Sequence, residues 1–166
     1  MRLARAKLDK DPVAAAELLE QAGDQLDQGL EQLRELARGI HPALVTDRGL
    51  QPALAALASR APFPVGLDVP SERFTHGVEV VIYYLVSEAL TNAAKYAEPE
   101  TVCVTVAHAD GLLTAEIDDD GRGGPGPAGG SGLCGLADRL EALGGRLFID
   151  SPPGRGTRIR AELPLR

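Results

Sequence analysis

Tryptophan is absent from the chain and aromatic residues supply only 4% of its 166 positions, whereas glycine occurs 19 times. That balance points to a loop-rich site that depends on glycine backbone. Cysteine is scarce too: Cys103 and Cys134 are the only two, each in or beside an apolar segment. Two such residues exclude a disulfide framework, no Cys and His spacing suits a metal, and we expect both thiols to be buried in a reducing cytosol. Positive charge is in deficit, with 17 basic against 24 acidic residues and a net charge of −7. The basic residues form no cluster, so a phosphate backbone would be repelled and no nucleic acid partner is expected. Nowhere do about 18 apolar residues run together, and the opening MRLARAKLDKDP is no signal peptide. A cytoplasmic segment without membrane contact is expected.

What is present is globular composition, 44% hydrophobic and 25% charged, in a length that suits one domain of about 120 residues with an appended helical arm. Residues 13–40 read as one long helix, because Leu19, Ala22, Leu26, Leu30, Leu33, Ala37 and Ile40 recur three or four apart. The cluster Asp9 to Pro12 is a turn, and MRLARAKL before it reads as the end of an earlier antiparallel helix. Because Met1 opens directly into helix-like sequence, we expect 1–45 to be a helical hairpin lacking most of its first arm, followed by a domain over 46–166.

Gly39 and Pro42 end the long helix, and a linker leads to a short helix over 50–61. PVGLDV alternates as a strand, and 76–97 predicts a helix with Val78, Val81, Ile82, Leu85, Ala89 and Ala93 on one side. TVCVTVAHA and LLTAEID pair as a hairpin about Asp110 and Gly111. A glycine-rich stretch, 121–132, precedes a helix over 133–143 that Gly144 and Gly145 stop, and RLFID and TRIRAEL close the chain as strands. This order predicts an α+β fold, a mixed sheet covered on one face by helices.

Four segments of the second domain carry chemistry. Glu88, Asn92 and Lys95 recur at four and three residues, on a line bordering the stripe of Val81 and Leu85. A carboxylate, an amide and an ammonium at the rim of a core cost desolvation unless a ligand or partner satisfies them; otherwise this is an amphipathic helix with a charged border. In LLTAEIDDDGRGG, the alternation Leu113, Ala115, Ile117 sends Asp119 to the inner face, where the strand breaks at Gly121 and Gly123. An inward carboxylate among glycines can accept a hydrogen bond from a ligand amine such as that of adenine, although alone the segment is also an ordinary Asp-Gly turn or a calcium-type loop. GGSGLCGL, 129–136, runs glycines into a helix start whose free amides and dipole suit phosphate. Its spacing is not that of a P-loop, nor is the preceding unit a Rossmann crossover, so a flexible linker is its other reading. Gly154, Gly156 and Thr157 open the last strand and could bring a hydroxyl and amides to the same pocket, or be a plain hairpin turn.

Taken in order, Glu88-Ala-Leu-Thr-Asn92 with Lys95 and Tyr96, then Asp119 to Gly123, Gly132 to Gly135, and Gly154 to Thr157, resemble the N, G1, G2 and G3 boxes of the GHKL ATPase superfamily. Within it the wording resembles sensor histidine kinases that pair with NarL-like response regulators, and 33–54 resembles the end of their second dimerisation helix. The resemblance implies a Bergerat two-layer α/β sandwich, preceded by a long helix of a dimerisation bundle, that binds ATP and Mg²⁺. It implies that Asn92 and Glu88 hold the metal, Lys95 contacts phosphate, Tyr96 lines the base pocket and Asp119 reads adenine. Gly121, Gly123, Gly132, Leu133, Gly135 and Thr157 would complete the pocket and its lid, and Glu88 is the candidate catalytic acid. The implied partners are a NarL-like response regulator and, in the full-length kinase, a second copy; the implied setting is the cytoplasm, including the cytoplasmic part of a membrane-bound sensor.

One departure bears on activity. The family's phosphoacceptor is usually His followed by an acidic residue, whereas His41 precedes Pro42, His76 precedes Gly77 and His108 precedes Ala109. His41 falls at the second-helix end, where a structural role is expected, and His76 and His108 read as ordinary surface residues. The chain should bind nucleotide without phosphorylating itself. Other readings are a non-catalytic nucleotide-binding regulator, against which the intact boxes argue, and an anti-sigma serine kinase, against which the arm at 13–40 argues.

Overall fold

The computed structural model describes residues 43–124 and 131–165. The helix expected at 13–40, the hairpin around it and most of the glycine-rich stretch lie outside the described residues. The chain divides after Ile40, and the fold below belongs to the unit His41–Arg166.

Helix α1, Ala43–Arg48, occupies the stretch expected as a linker. The breaker is Gly49, whose φ of 89° ends α1 and starts α2, Leu50–Ala58, with Val45, Leu50 and Leu54 buried. Helix α2 is shorter than expected because Arg60 and Ala61 bond back only three residues, to Leu57 and Ala58, a tightening that ends it before Pro62. Strand β1, Val65–Asp68, leads to α3, His76–Asn92, whose stripe of Val78, Val81, Ile82, Leu85 and Ala89 is buried as its spacing requires. The helix expected to run to 97 is α-helical only to Asn92; Ala93–Ala97 form a π-helical turn.

Strands β2, Val102–Ala109, and β3, Leu112–Asp119, join at Asp110 and Gly111, whose φ values of 52° and 76° are those a two-residue hairpin needs. Helix α4, Ser131–Ala142, and strands β4, Arg146–Asp150, and β5, Thr157–Pro164, complete the unit. The sheet order is β1-β2-β3-β5-β4, with β1 parallel to β2 and every other pair antiparallel. The strand-to-strand crossover from β1 to β2 contains α3, as a parallel pair demands.

Alternation sorts the sheet into two faces. Val102, Val104, Val106, Leu113, Ala115, Ile117, Ile159, Ala161 and Leu163 are buried with Val81, Ile82 and Leu85 of α3 and Leu136 and Leu140 of α4, in one core. The residues between them, among them Cys103, Thr105, Arg158 and Arg160, face outward. Cys103 is therefore exposed, contrary to expectation: its apolar neighbours in sequence alternate with it on β2, so the thiol points away from them, and Cys134 on α4 is exposed as well.

A buried charge was not foreseen. Glu79, in the first turn of α3, is 0% exposed. Arg73 donates to both its carboxylate oxygens, at 2.8 and 3.0 Å, and the Phe74 amide donates to one, at 3.1 Å. The same guanidinium reaches the Val45 and Thr46 carbonyls at the end of α1, so one ion pair ties α1 to the start of α3. The hydrogen bond to Glu79, opposed by desolvation and aided by the carboxylate's charge, holds the Arg73 pKa above its usual value.

Candidate nucleotide-binding site

The site has a helical half and a sheet half. In the helical half, Glu88 and Asn92 lie one turn apart on α3, and the Asn92 amide donates to Glu88 Oε1 at 3.5 Å, the limit of a hydrogen bond. The first turn of α4 arrives over them. A Cβ on Gly132 would overlap the Glu88 carboxylate, so any larger residue there would push that side chain aside. An oxygen-donor pair thus meets a helix N-terminus, where amides favour anions.

The π-turn changes the geometry expected of a uniform helix. Lys95 and Tyr96 ride on the widened turn, so the line from Glu88 to Asn92 does not run straight on to Lys95. Both are exposed, and Lys95 borders a shallow cavity with Leu57, Arg60, Ser87 and Thr91 on the α2 side of α3. Glu98 stops the turn with a φ of 48°.

The sheet half centres on Asp119, which sits on the inner face in one row with Val102 and Thr157. Its Oδ1 accepts the amides of Gly121 at 3.0 Å and Thr157 at 3.2 Å. The carboxylate is thereby fixed in orientation, and among the described residues Oδ2 has no hydrogen bond. The run of three aspartates is split by the strand's period: Asp118 pairs outward with Arg158, Asp119 faces inward, and Asp120 accepts the amides of Glu100 and Thr101 at 2.8 and 3.0 Å.

Gly121 joins the two halves. A Cβ there would run into the Ala97 carbonyl at the end of the π-turn, and the Arg122 amide donates to that same oxygen at 2.9 Å. Gly123, with φ 56°, lies against the Pro152 carbonyl. Ser151, which sequence patterns did not single out, donates to the Gly124 carbonyl at 3.1 Å and shares a hydrogen bond of 2.9 Å with the Thr157 hydroxyl. It therefore ties the start of the glycine-rich stretch to β5. Leu133 is half-buried against the core, and a Cβ at Gly135 would meet open space, so packing does not require glycine there.

The fit to ATP and Mg²⁺ can be judged on these contacts. Mg²⁺ keeps several waters and substrate oxygens and needs only one or two protein ligands, a demand Glu88 and Asn92 meet. Among the described residues no group of three or more His, Cys, Asp and Glu is placed to hold a metal by itself. Asp119 offers one free oxygen to an amine while glycines on either side allow close approach.

Residues 77–166 match the family model of histidine kinase-, DNA gyrase B-, and HSP90-like ATPases. The chain belongs to that family. Its mixed five-stranded sheet under helices is the ATP-binding domain of these ATPases, and ATP is the ligand class the domain serves. Oxygen sensor histidine kinase NreB of Staphylococcus carnosus (strain TM300) is 33% identical over 146 residues, 82% of this chain but only 42% of NreB. The chain thus spans less than half of that relative. The blue-light activated histidine kinase of Erythrobacter litoralis EL346 shares the fold with a TM-score of 0.67 at 24% identity, over 81% of this chain and 50% of that one. The ATP binding domain of PrrB from Mycobacterium tuberculosis does so with a TM-score of 0.54 at 22% identity, over 70% and 91%. Among the described residues no helix is long and apolar enough to cross a membrane.

Proposed function

We propose that this ATPase-family domain is the catalytic part of a sensor histidine kinase, holding ATP with Mg²⁺ for transfer of the γ-phosphate to a histidine and thence to a NarL-like response regulator. In this reading residues 1–45 are part of a dimerisation hairpin, 46–166 are the catalytic domain, and the full-length kinase is a cytoplasmic homodimer or the cytoplasmic part of a membrane-bound sensor. The observation that carries the reading is the fixed Asp119 carboxylate, with one oxygen held by two backbone amides and the other without a hydrogen bond among the described residues.

Asp119 accepts the adenine amine, and Tyr96 lines the base pocket. Asn92 and Glu88 hold the metal; Glu88, whose carboxylate lies against the start of α4 at Gly132, is also the candidate catalytic residue. Mg²⁺, when bound, draws negative charge from the phosphate oxygens. Lys95 reaches phosphate from its exposed place on the π-turn, adding positive charge where the transferring group gains negative charge. Gly121, Gly123, Gly132, Leu133 and Gly135 shape the wall and lid, and Thr157 closes the floor beside Asp119.

Autophosphorylation of this chain is not expected, because none of its three histidines precedes an acidic residue. His108 pairs instead with Glu72 at 2.6 Å and meets the Phe74 ring edge-on at 5.8 Å, a structural arrangement at the far end of β2. Calorimetric titration with a nonhydrolysable ATP analogue, with and without Mg²⁺, tests the proposal. Saturable binding strengthened by Mg²⁺ and weakened by Asn92→Ala is expected; wild-type protein that takes up no analogue overturns it.

A further inference from the structure

The sheet has two edges of different character. At one, β1 has four residues and is bracketed by Pro64 and Pro70, which deny a neighbour its ladder hydrogen bonds. At the other, among the described residues β4 pairs on one side only, with β5. It contains no lysine or proline, and Phe148 and Ile149 are 46% and 50% exposed although they lie on opposite faces. Ile149 stands opposite buried Ile159, on the face that elsewhere is covered by helices.

From these features we infer that β4 is a self-association edge that pairs antiparallel with β4 of a second copy of this chain, centred on Phe148. The strand Arg146-Leu-Phe-Ile-Asp150 is complementary to itself in that register. Arg146 faces Asp150 of the other copy at both ends, Phe148 faces its own counterpart, and Leu147 faces Ile149 on the helix side. Charge alternation across the outer face continues through the junction. Within one copy Asp118, Arg158 and Asp150 form a row, and Thr114, Glu162 and Arg146 form another. Joining the copies places Arg146 and then Glu162 after Asp150, so signs alternate without a like-charge neighbour. The same operation on β1 would set Val65 against Asp68 and Gly66 against Leu67, with no such match. Five residues, followed after Ser151 by Pro152 and Pro153, make a short junction, so association is weak and concentration-dependent.

Disulfide trapping in the full chain, with Cys103→Ser and Cys134→Ser as background, reads the register directly. Under mild oxidation Phe148→Cys links to itself, whereas Arg146→Cys and Asp150→Cys link only when the two proteins are mixed. In parallel, sedimentation velocity measures self-association of Arg146→Asp, of Asp150→Arg and of their equimolar mixture; each variant alone associates less than the unaltered chain, and the mixture, in which opposite charges face each other at both ends while the β4–β5 neighbours within each copy are unchanged from the single variants, restores it. Any association through residues 1–40 is common to all variants. Equal trapping at every position, no trapping at 148, or a mixture that associates no better than either variant alone overturns the proposal and leaves the edge for a foreign strand.

Discussion

Asp119 offers the sharpest separation of binding from folding. Its Oδ1 accepts two backbone amides, at 3.0 and 3.2 Å, while its other oxygen is left for the nucleotide. In Asp119→Asn the amide oxygen can keep both backbone bonds, so stability should change by less than about 1 kcal/mol. The nitrogen then replaces the free oxygen and points a donor at the adenine amine, also a donor. Loss of a charge-assisted hydrogen bond costs roughly 1.5–3 kcal/mol, and the clash of donors puts the total near about 3 kcal/mol, or a Kd raised roughly 150-fold. Asp119→Ala loses nucleotide equally but also strands two amides, at about 1 kcal/mol each, so it alone should destabilise the unfilled domain by roughly 2 kcal/mol. Calorimetry gives the Kd values. Stability comes from urea unfolding followed by tyrosine emission, since Tyr83, Tyr84 and Tyr96 are the chain's three tyrosines, all on α3 or the turn after it, and tryptophan is absent. An Asn variant that binds the analogue like wild type, or one that loses as much stability as the Ala variant, would refute the reasoning.

Gly132→Ala should show opposite signs in two assays. Alanine favours the helix by up to about 1 kcal/mol over glycine, yet its Cβ must displace the Glu88 carboxylate, so the urea midpoint holds or rises while Mg²⁺-dependent strengthening of ATP-analogue binding falls. Arg73→Ala leaves Glu79 buried with only the Phe74 amide, and should lower the urea midpoint of the tyrosine transition; Arg73→Lys should recover only part of it, because an ammonium cannot grip both oxygens as a guanidinium does.

Much of the fold was legible in the chain's periodicities. The alternation of β2 and β3 and the Asp110-Gly111 turn gave the hairpin, and the stripe on α3 gave the buried face, because both signals are local and repeat over many residues. Asp119 could be aimed inward for the same reason: its phase follows from Leu113, Ala115 and Ile117. Local patterns failed where a break depended on a distant neighbour. The linker expected before Leu50 is a helix, and at its end Gly49 passes under the Arg73 side chain. The burial of Glu79 required Arg73 to arrive from the loop before α3, and nothing in a helical wheel distinguishes such a glutamate from an exposed one.

The candidate site divides along the same line. Sequence by itself determined which residues stand on which element and face, since strand and helix phase are properties of a few adjacent residues. Tertiary structure alone decided how close those elements come. The π-turn that diverts Lys95 and Tyr96 from the line of Glu88 and Asn92, the seat of Gly121 on the Ala97 carbonyl, the approach of Gly132 to Glu88, and the bond from Ser151 to the Gly124 carbonyl all join residues far apart in the chain or depend on packing against them. Such contacts are set by the sum of core packing over the sheet, which no local window contains.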